Sequence, residues 1–259
     1  MNRKGTALIT GASSGIGEAL ARQFARKGFD LVITARREDR LNALATSLAD
    51  EVDVHVIPCD LGVAGGGSRL IEAVGALGIE IDILVNNAGV AYGEPLTELS
   101  EDDIDTLIGL NISALTTLTR HYAVDMAARG HGRILNVASV AGFQPVPSMS
   151  LYAASKAFVV SLTEALSEEL RGTGVSVTAL CPGLTKTEMA DTLVQQVEGL
   201  PPLVMASADE VAREGYNALM AKEVIRIPGL ANKAAVTWAQ FQPRWLIRGL
   251  GGMFARLKP

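Results

Sequence analysis

The sequence predicts an α/β protein with a single doubly wound parallel sheet of seven strands and helices on both faces. Seven short apolar runs have the length and composition of buried strands, and segments with helical spacing separate them. Buried strands that alternate with helices pair in parallel through crossover connections. A chain of 259 residues fits one large domain of this kind, and no proline-rich linker divides its first 180 residues.

The elements are placed by their periodicity. Strands are predicted at residues 6–10, 31–35, 54–58, 81–85, 133–137, 175–180 and 224–227. Apolar residues recur at helical spacing in residues 16–27, 40–48, 101–118 and 153–171. Ser207 and Glu210 have the spacing of a capping box, which predicts a helix from there to Met220. The glycines at 65–67 predict a turn before a helix at Ser68, and residues 184–202 predict a loop with short helices.

Composition argues against several classes of protein. Apolar residues make up 48% and charged residues 20% of the chain, which is close to the globular average and unlike a disordered protein. Two cysteines and three scattered histidines give neither a disulfide framework nor a metal-ligand spacing, so we expect no metal site. The chain has neither an N-terminal apolar run of signal length nor a stretch of about 18 apolar residues. We therefore expect a cytoplasmic protein.

Residues 231–259 are predicted to form a basic extension beyond a sheet domain of residues 1–230. Residues 224–259 contain six of the 23 basic residues, none of the 28 acidic residues and both tryptophans. If the chain forms a helix after Pro243, one arc of that helix carries the apolar residues Leu246, Ile247, Leu250, Met253, Phe254 and Leu257. The opposite side carries the basic residues Arg244, Arg248, Arg256 and Lys258. The segment 244–258 is typical of a helix at an anionic membrane surface. The alternative, which we favour, is that it packs on the protein's own core or on another subunit. The remaining chain is too acidic for nucleic acid to be an expected partner.

A glycine-rich turn follows the first predicted strand and leads into the first helix, with the sequence Thr-Gly-Ala-Ser-Ser-Gly-Ile-Gly at residues 10–17. A bound pyrophosphate needs a close backbone, exposed N–H groups and the positive end of a helix. We expect Gly11 to allow the sharp turn, Gly15 to admit the phosphates and Gly17 to let the helix pack on the strand. A tight connection without a ligand is the alternative.

Two arginines at the end of the second predicted strand indicate the type of cofactor. Arg36 and Arg37 stand where a carboxylate would otherwise bind a ribose hydroxyl. Guanidinium groups suit a 2′-phosphate, which a carboxylate would repel. We therefore expect NADP(H) in preference to NAD(H). The alternative is that both arginines form a solvated surface with Glu38 and Asp39.

Tyr152 and Lys156 lie four residues apart in a predicted helix, so their side chains share a face. An ammonium beside a phenol favours phenolate, so we expect Lys156 to lower the pKa of Tyr152 below its usual value near 10. Ser139 follows a predicted strand at the sheet edge where α/β proteins bind ligands. The three side chains would form a metal-free acid–base device. The alternative is a packed tyrosine and a surface lysine.

Taken together, these motifs resemble the short-chain dehydrogenase/reductase family over about residues 5–230. The motifs are the glycine turn at 10–17, Asn-Asn-Ala-Gly at 86–89, Asn111, Ser139, Tyr152, Lys156 and Pro182-Gly183. The resemblance implies a Rossmann-type fold and an oxidoreductase that transfers a hydride between a nicotinamide and a carbonyl or secondary alcohol. It also implies a homo-oligomer.

The resemblance assigns roles to individual residues. The catalytic residues would be Asn111, Ser139, Tyr152 and Lys156. The cofactor-binding residues would be Gly11, Ser13, Ser14, Gly15, Ile16, Gly17, Arg36, Arg37, Asp60, Leu61, Asn87, Ala88, Gly89, Tyr152, Lys156, Pro182, Gly183, Thr185 and Thr187. In the family, Asn111 kinks a helix and holds a water that leads to Lys156. Four of these residues have a purely structural alternative. Asp60 and Thr185 would be helix caps, Asn87 would be a turn residue, and Asn111 would be a surface residue.

The substrate is expected to contact residues 91–99, 141–151 and 184–202. These segments are largely apolar, with Phe143, Met149, Met189, Leu193, Val194 and Val197, and they contain no arginine cluster that would bind a carboxylate or phosphate. We expect a hydrophobic ketone or alcohol, such as a 3-oxoacyl or steroid compound. Alternatives to an enzyme are an NADP(H)-binding regulator without activity and a membrane-associated interaction protein, both on this fold.

Overall fold

The sheet has seven parallel strands in the order β3-β2-β1-β4-β5-β6-β7, in a computed structural model that describes residues 4–189 and 205–249. The strands are β1 (Thr6–Thr10), β2 (Asp30–Ala35), β3 (Val54–Pro58), β4 (Ile83–Asn86), β5 (Gly132–Val137), β6 (Val175–Leu180) and β7 (Ile225–Arg226). The predicted fold is confirmed, and each predicted strand is present within two residues of its expected bounds.

The helices of the described residues connect these strands. They are α1 (Gly15–Arg26), α2 (Glu38–Leu48), α3 (Gly66–Gly75), α4 (Glu101–Ile108), α5 (Leu115–Arg129), α6 (Ser150–Glu169), α7 (Ala208–Met220) and α8 (Leu230–Gln240). A π-helical segment, Gly109–Ala114, joins α4 to α5, and a 3-10 turn, Val140–Phe143, precedes α6. Residues 244–249 are also helical. None of the helices in the described ranges is long and apolar enough to cross a membrane.

The two faces of the sheet bury separate apolar cores. On β1, Ala7 and Ile9 belong to the core beneath α1, α2 and α7, whereas Leu8 belongs to the core beneath α3 and α5. This alternation is the period of two expected when both faces of a strand are covered. Helices therefore lie on both faces, as the sequence predicts.

The strand order places a crevice between β1 and β4. After β3 the chain crosses to the other side of β1 to form β4, so the connections leaving β1 and β4 run to opposite faces of the sheet. Ligands of doubly wound sheets bind in the crevice beyond the carboxyl ends of such strands. Here those ends lead directly into Gly11 and Asn87.

Four local predictions have different outcomes. The capping box forms, since the Ser207 hydroxyl accepts the Glu210 N–H at 3.2 Å and the Glu210 carboxylate accepts the Ser207 N–H at 3.0 Å. The single helix expected at 101–118 is wrong, because the π-helical segment interrupts it. The helix expected from Ser68 begins at Gly66, after Gly65 in a left-handed conformation. In the loop predicted at 184–202, residues 190–202 lie outside the described ranges.

Gly17→Ala is expected to lower the free energy of unfolding by about 1–3 kcal/mol, the usual range for overpacking. Gly17 is in α1, and a Cβ there would lie 2.2 Å from the Gly11 carbonyl oxygen. Gly75→Ala is the matched control, because Gly75 is also helical and a Cβ there would have no neighbour within 4 Å. It should raise stability, by up to about 1 kcal/mol. Urea denaturation of both variants tests this, and a change of the same sign in both would contradict it.

Candidate active site

A hydrogen-bond network closes the crevice between β1 and β4. The Thr10 hydroxyl accepts the N–H groups of Asn87 and Ala88, each at 3.0 Å, and donates to the Val85 carbonyl at 3.2 Å. The Asn87 side chain donates to the carbonyl oxygens of Thr10 at 2.9 Å and Gly11 at 3.3 Å. Asn87 thus bonds backbone groups at a turn, which is the structural alternative predicted for it. It also lines the cleft described below.

The glycine turn needs its glycines for different reasons. Gly11 and Gly15 have φ of +68° and +58°, in the left-handed region that glycine adopts readily. A Cβ on Gly11 would lie 2.8 Å from the Ala88 Cα, so a side chain would collide with the neighbouring loop. The N-cap of α1, Ser14, makes no side-chain cap, which leaves the first N–H groups of the helix for a ligand.

Arg37, the second of the two arginines that follow β2, has three hydrogen-bonding partners. The Arg37 guanidinium donates to the hydroxyls of Ser13 at 3.2 Å and Ser14 at 2.7 Å, and it donates to Glu188 at 2.8 Å. Arg40 donates to the other oxygen of the same carboxylate. The two arginines hold the pKa of Glu188 low, at about 2.

Arg40 and Glu188 were missed by the sequence analysis. Arg40 stands one helical turn after Arg36, a spacing that could have indicated a third cation. Nothing in the sequence marks Glu188 as their partner. The solvated surface with Glu38 and Asp39, the alternative for Arg37, is wrong, since its ion partner is Glu188. Arg36 is exposed and lines the cleft.

Asp60 follows β3 and lies at the same end of the site. Its carboxylate accepts the Gly62 N–H at 2.8 Å and stabilises a turn, whereas the N-cap of α3 is Gly65, so Asp60 is not the helix cap named as its alternative. Asp60 and the buried Leu61 both line the cleft. The geometry therefore places the two residues beside the arginines at the end of the cleft away from Tyr152.

Asn111 lies inside the π-helical segment and is only 1% exposed, so its alternative as a surface residue is wrong. Its side chain accepts the Val90 N–H at 3.0 Å and donates to the Val90 carbonyl at 3.0 Å. It also donates to the Ser155 hydroxyl at 3.1 Å, which donates in turn to the Tyr152 carbonyl at 2.7 Å. Asn111 thereby connects the loop after β4 to the helix that carries Tyr152.

Ser139 and Tyr152 both line the cleft, and their side chains lie close enough for Ser139 to influence the ionisation of the phenol. Ser139 follows β5 and is the N-cap of the 3-10 turn, where its oxygen accepts the Ala141 N–H at 3.1 Å. Burial raises the pKa of Tyr152, and the hydrogen bond to Ser139 opposes that rise. The expectation that Lys156 lowers this pKa is contradicted: the net shift is upward, because the loss of hydration of the phenolate dominates.

Lys156 is buried, so its alternative as a surface lysine is also wrong. Its ammonium donates to the Val137 carbonyl at 2.9 Å and lies 5.7 Å from the centre of the Tyr152 ring. Burial lowers the pKa of Lys156 to about 8. A Cβ on Gly89 would lie 3.5 Å from this ammonium and 3.2 Å from the Asn111 amide oxygen, so both polar groups converge on the Gly89 backbone.

The loop after β6 reaches back across the glycine turn. The Thr185 hydroxyl donates to the Gly183 carbonyl at 3.1 Å, which is not the helix cap named as its alternative. Thr185 also forms a bridge with Ala206. A Cβ on Gly15 would lie 3.0 Å from the Thr187 methyl carbon. The loop and the turn therefore form two walls of one cleft.

That cleft has a volume of about 630 Å³. Every predicted site residue lines it except Gly17 and Asn111, which support it from behind. Around Ser139, Tyr152 and Lys156, Glu188 is the one charged side chain among the described lining residues of the predicted substrate segments; the others are Ala141, Gln144, Pro145, Val146, Pro147, Ser148, Met149, Leu184, Thr185, Thr187 and Met189. Ser148 has a φ of +63°, an uncommon conformation for a residue with a side chain.

The substrate segments are only partly as predicted. Residues 141–151 and the described part of 184–202 contribute to the cleft, but residues 91–99 do not. The Tyr92 hydroxyl is hydrogen-bonded to Asp103 instead. Phe143 was also placed wrongly, since it packs against the core formed by α6 and β6. Leu193, Val194 and Val197 lie outside the described ranges.

The chain is similar to known oxidoreductases over most of its length. A family model described as short chain dehydrogenase matches residues 5–198. Sulfoacetaldehyde reductase 2 of Chromohalobacter salexigens is 40% identical over 230 residues, which cover 82% of this chain and 91% of that protein.

Two solved structures share the fold. A short-chain dehydrogenase from Sphingobium yanoikuyae in complex with NADPH is 38% identical, with a TM-score of 0.81, covering 91% of this chain and 93% of that one. The bulky-bulky ketone specific alcohol dehydrogenase from Comamonas testosteroni is 32% identical, with a TM-score of 0.78, covering 94% and 96%.

Lys156→Met is expected to stabilise the protein at pH 7, by about 1–3 kcal/mol. The folded-state pKa of Lys156, about 8, lies below the ordinary value of 10.5. Between pH 8 and pH 10.5 the unfolded chain therefore binds more protons than the folded chain, so stability rises with pH in this range. The cost of burying the ammonium is fully present below pH 8 and disappears as the pH approaches 10.5.

Urea denaturation at pH 7 and pH 10 measures this difference. The advantage of Lys156→Met over the wild type should shrink at the higher pH. Lys27→Met, which removes an exposed ammonium, is the control and should show little change at either pH. An advantage of Lys156→Met that does not depend on pH would contradict the prediction.

Proposed function

Because the chain belongs to the short-chain dehydrogenase/reductase family, we propose that it is an NADP(H)-dependent oxidoreductase that transfers a hydride between the nicotinamide and a hydrophobic ketone or secondary alcohol. One observation carries the proposal. The neighbouring side chains of Ser139 and Tyr152 lie beside the buried Lys156, in the same cleft as the glycine turn. A binding protein without activity would not require such a set of acid–base groups.

The residues of the cleft fit a dinucleotide. The uncapped start of α1 and the left-handed Gly11 and Gly15 leave a backbone surface that a pyrophosphate can approach. Arg36 and Arg37 would hold a 2′-phosphate, and Asp60 and Leu61 would contact the adenine. The ribose beside the nicotinamide would bind Tyr152 and Lys156, and its carboxamide would contact the loop containing Pro182, Gly183, Thr185 and Thr187.

When bound, the nicotinamide supplies the hydride in the direction of reduction. Tyr152 gives its proton to the carbonyl oxygen, and Ser139 donates a hydrogen bond that orients this oxygen. Burial raises the pKa of Tyr152, so the phenol carries its proton at neutral pH, as a proton donor must. Lys156 returns a proton to Tyr152 after each turnover. Asn111 positions a water through which protons reach Lys156.

The preference for NADP(H) rests on the charges at the adenosine end. Arg36 is exposed beside the cleft, and Arg37 is fixed by Ser13 and Ser14 at the start of α1. Both can bind a phosphate with charge-assisted hydrogen bonds. Glu188 opposes this, because its carboxylate already occupies the guanidinium that a 2′-phosphate would use. We infer that Glu188 moderates the preference for NADP(H).

The apolar substrate end supports a hydrophobic substrate. Apart from Lys156, the described residues that line this end include no cation. Among the described residues, the sulfonate of a small substrate such as sulfoacetaldehyde would therefore have no counterion there except Lys156. A bulky ketone, of the kind named for the relative from Comamonas testosteroni, suits the proline, valine and methionine side chains of residues 145–149.

Tyr152→Phe tests the proposed acid. Turnover of NADPH with a panel of cyclic ketones, ketosteroids and 3-oxoacyl thioesters should fall at least about 100-fold, because the proton donor is removed. Binding of NADPH, measured by its fluorescence, should survive. Tyr122→Phe is the matched control, since it removes a buried hydroxyl on α5 outside the cleft. Activity retained by Tyr152→Phe, or lost equally in Tyr122→Phe, would contradict the assigned role.

Two substitutions of opposite effect test the cofactor preference. Arg36→Asp should weaken NADPH binding by about 10- to 100-fold, through loss of a charge-assisted hydrogen bond. Glu188→Gln should strengthen NADPH binding by about threefold or more, since it frees Arg37 from a competing carboxylate. The affinity for NADH, measured by the same titration, should change little in either variant. Parallel changes for both cofactors would show that these residues shape the cleft and do not select the 2′-phosphate.

A further inference from the structure

The outer face of α8 is an exposed apolar stripe, which we define as Leu230, Ala234, Trp238 and Phe241. Their spacing of four, four and three residues places them on one arc of the helix. Val236 points the opposite way and is 7% exposed, so α8 packs on the protein by its other face. Leu230 is 88%, Trp238 53% and Phe241 82% exposed. A cluster of large exposed apolar side chains marks an interaction surface more often than chance.

Basic side chains flank this stripe. Lys233 lies within α8, and Arg244 and Arg248 lie in the helical residues that follow it. All three are exposed, as is Trp245, which is 67% exposed in the same segment. Residues 224–259 contain no acidic residue, although the whole chain has a net charge of −5. The surface formed by residues 230–249 is therefore locally cationic on an acidic protein.

The same helix adjoins the substrate end of the cleft. It packs against the 3-10 turn that follows Ser139. On its inner side, Asn232 abuts the loop after β6, since a Cβ on Gly183 would lie 2.6 Å from the Asn232 amide nitrogen. Residues 140–151, which form the nearby wall of the cleft, contain no charged side chain. A body that covers the stripe would therefore lie one helix away from Val140, Ala141 and Gly183, which line the cleft.

We propose that residues 230–249 dock reversibly on an anionic lipid bilayer and bring the entrance of the cleft to its surface. Tryptophan and phenylalanine side chains insert at the level of the headgroups, and lysine and arginine pair with lipid phosphates. A second copy of the chain, packed stripe against stripe, would instead bring three cations of each protomer together. The charge pattern thus favours lipid over self-association.

Docking would also supply the substrate. Hydrophobic ketones partition into bilayers, so a cleft that opens at the membrane would take them from there. This part of the inference rests on the proposed function, whereas the lipid contact itself does not. The stripe lies beyond the motifs that resemble the family and before the amphipathic arc predicted at residues 246–257. Of that arc, Leu246 and Ile247 are half-buried, and the remaining residues lie outside the described ranges.

The experiment uses vesicles of phosphatidylcholine alone and of phosphatidylcholine with phosphatidylglycerol. The only two tryptophans of the chain, Trp238 and Trp245, lie in the proposed surface, so their emission reports docking directly. We expect a blue shift and co-sedimentation with the anionic vesicles, which high salt reverses. Phe241→Ala and Lys233→Glu should each weaken this binding on the order of tenfold. Leu96→Ala is the control, because Leu96 is 51% exposed outside the surface.

The possible outcomes separate the two proposals. Loss of vesicle binding in Phe241→Ala, with turnover of a water-soluble ketone unchanged, supports lipid docking. Vesicle binding without turnover in the wild type would leave lipid docking intact and contradict the proposed function. Equal binding to both kinds of vesicle, no binding to either, or equal weakening in Leu96→Ala would overturn the docking proposal. So would a dimer in sedimentation equilibrium that Phe241→Ala dissociates, since a second copy would then cover the stripe.

Discussion

The hydroxyl of Thr10 holds together the two strand ends on which the site depends. It receives two backbone N–H groups from the loop after β4, and Asn87 returns hydrogen bonds to the turn after β1. These contacts fix the glycine turn and residues 87–90 relative to each other. From Val90 the connections continue through Asn111 and Ser155 to the main chain at Tyr152. The cofactor end and the proposed acid are therefore positioned by one continuous set of hydrogen bonds.

Burial gives the site its proton chemistry and also opposes folding. Tyr152 and Lys156 are both removed from water, so each favours its neutral form, with the pKa of Tyr152 raised and that of Lys156 lowered. Neither shift arises from attraction between the two groups. Beneath the site, the Asn86 amide donates to Asn136, and the Asn136 amide donates to Thr163, at 2.9 and 3.0 Å, whereas the buried amide oxygen of Asn86 accepts no hydrogen bond from the residues that the structure describes. Such buried pairs keep the strands beneath the site in register.

Much of the fold and of the site could be predicted, because both depend on residues that are close together in the sequence. Buried runs define the strands, and the glycine turn, Tyr152 and Lys156 are short motifs whose spacing reflects one turn or one helix. What could not be predicted depends on distant packing. Glu188 meets Arg40 across 148 residues, and the pKa of Tyr152 follows from desolvation that only the folded chain imposes. The π-helical segment was missed for a related reason, since its extra residue per turn serves the contact between Asn111 and Val90. Phe143 likewise looked like a substrate contact until the core behind it was known.

The Arg37–Glu188–Arg40 cluster ties two parts of the molecule that are far apart in sequence. Arg37 lies beside the glycine turn, whereas Glu188 belongs to the loop after β6, and both line the cleft. A substitution at Arg37 that is meant to change the cofactor would also release that loop from one of its anchors. Under the proposed function, a change at Arg37 or Glu188 would therefore be expected to alter both cofactor preference and the position of the substrate loop.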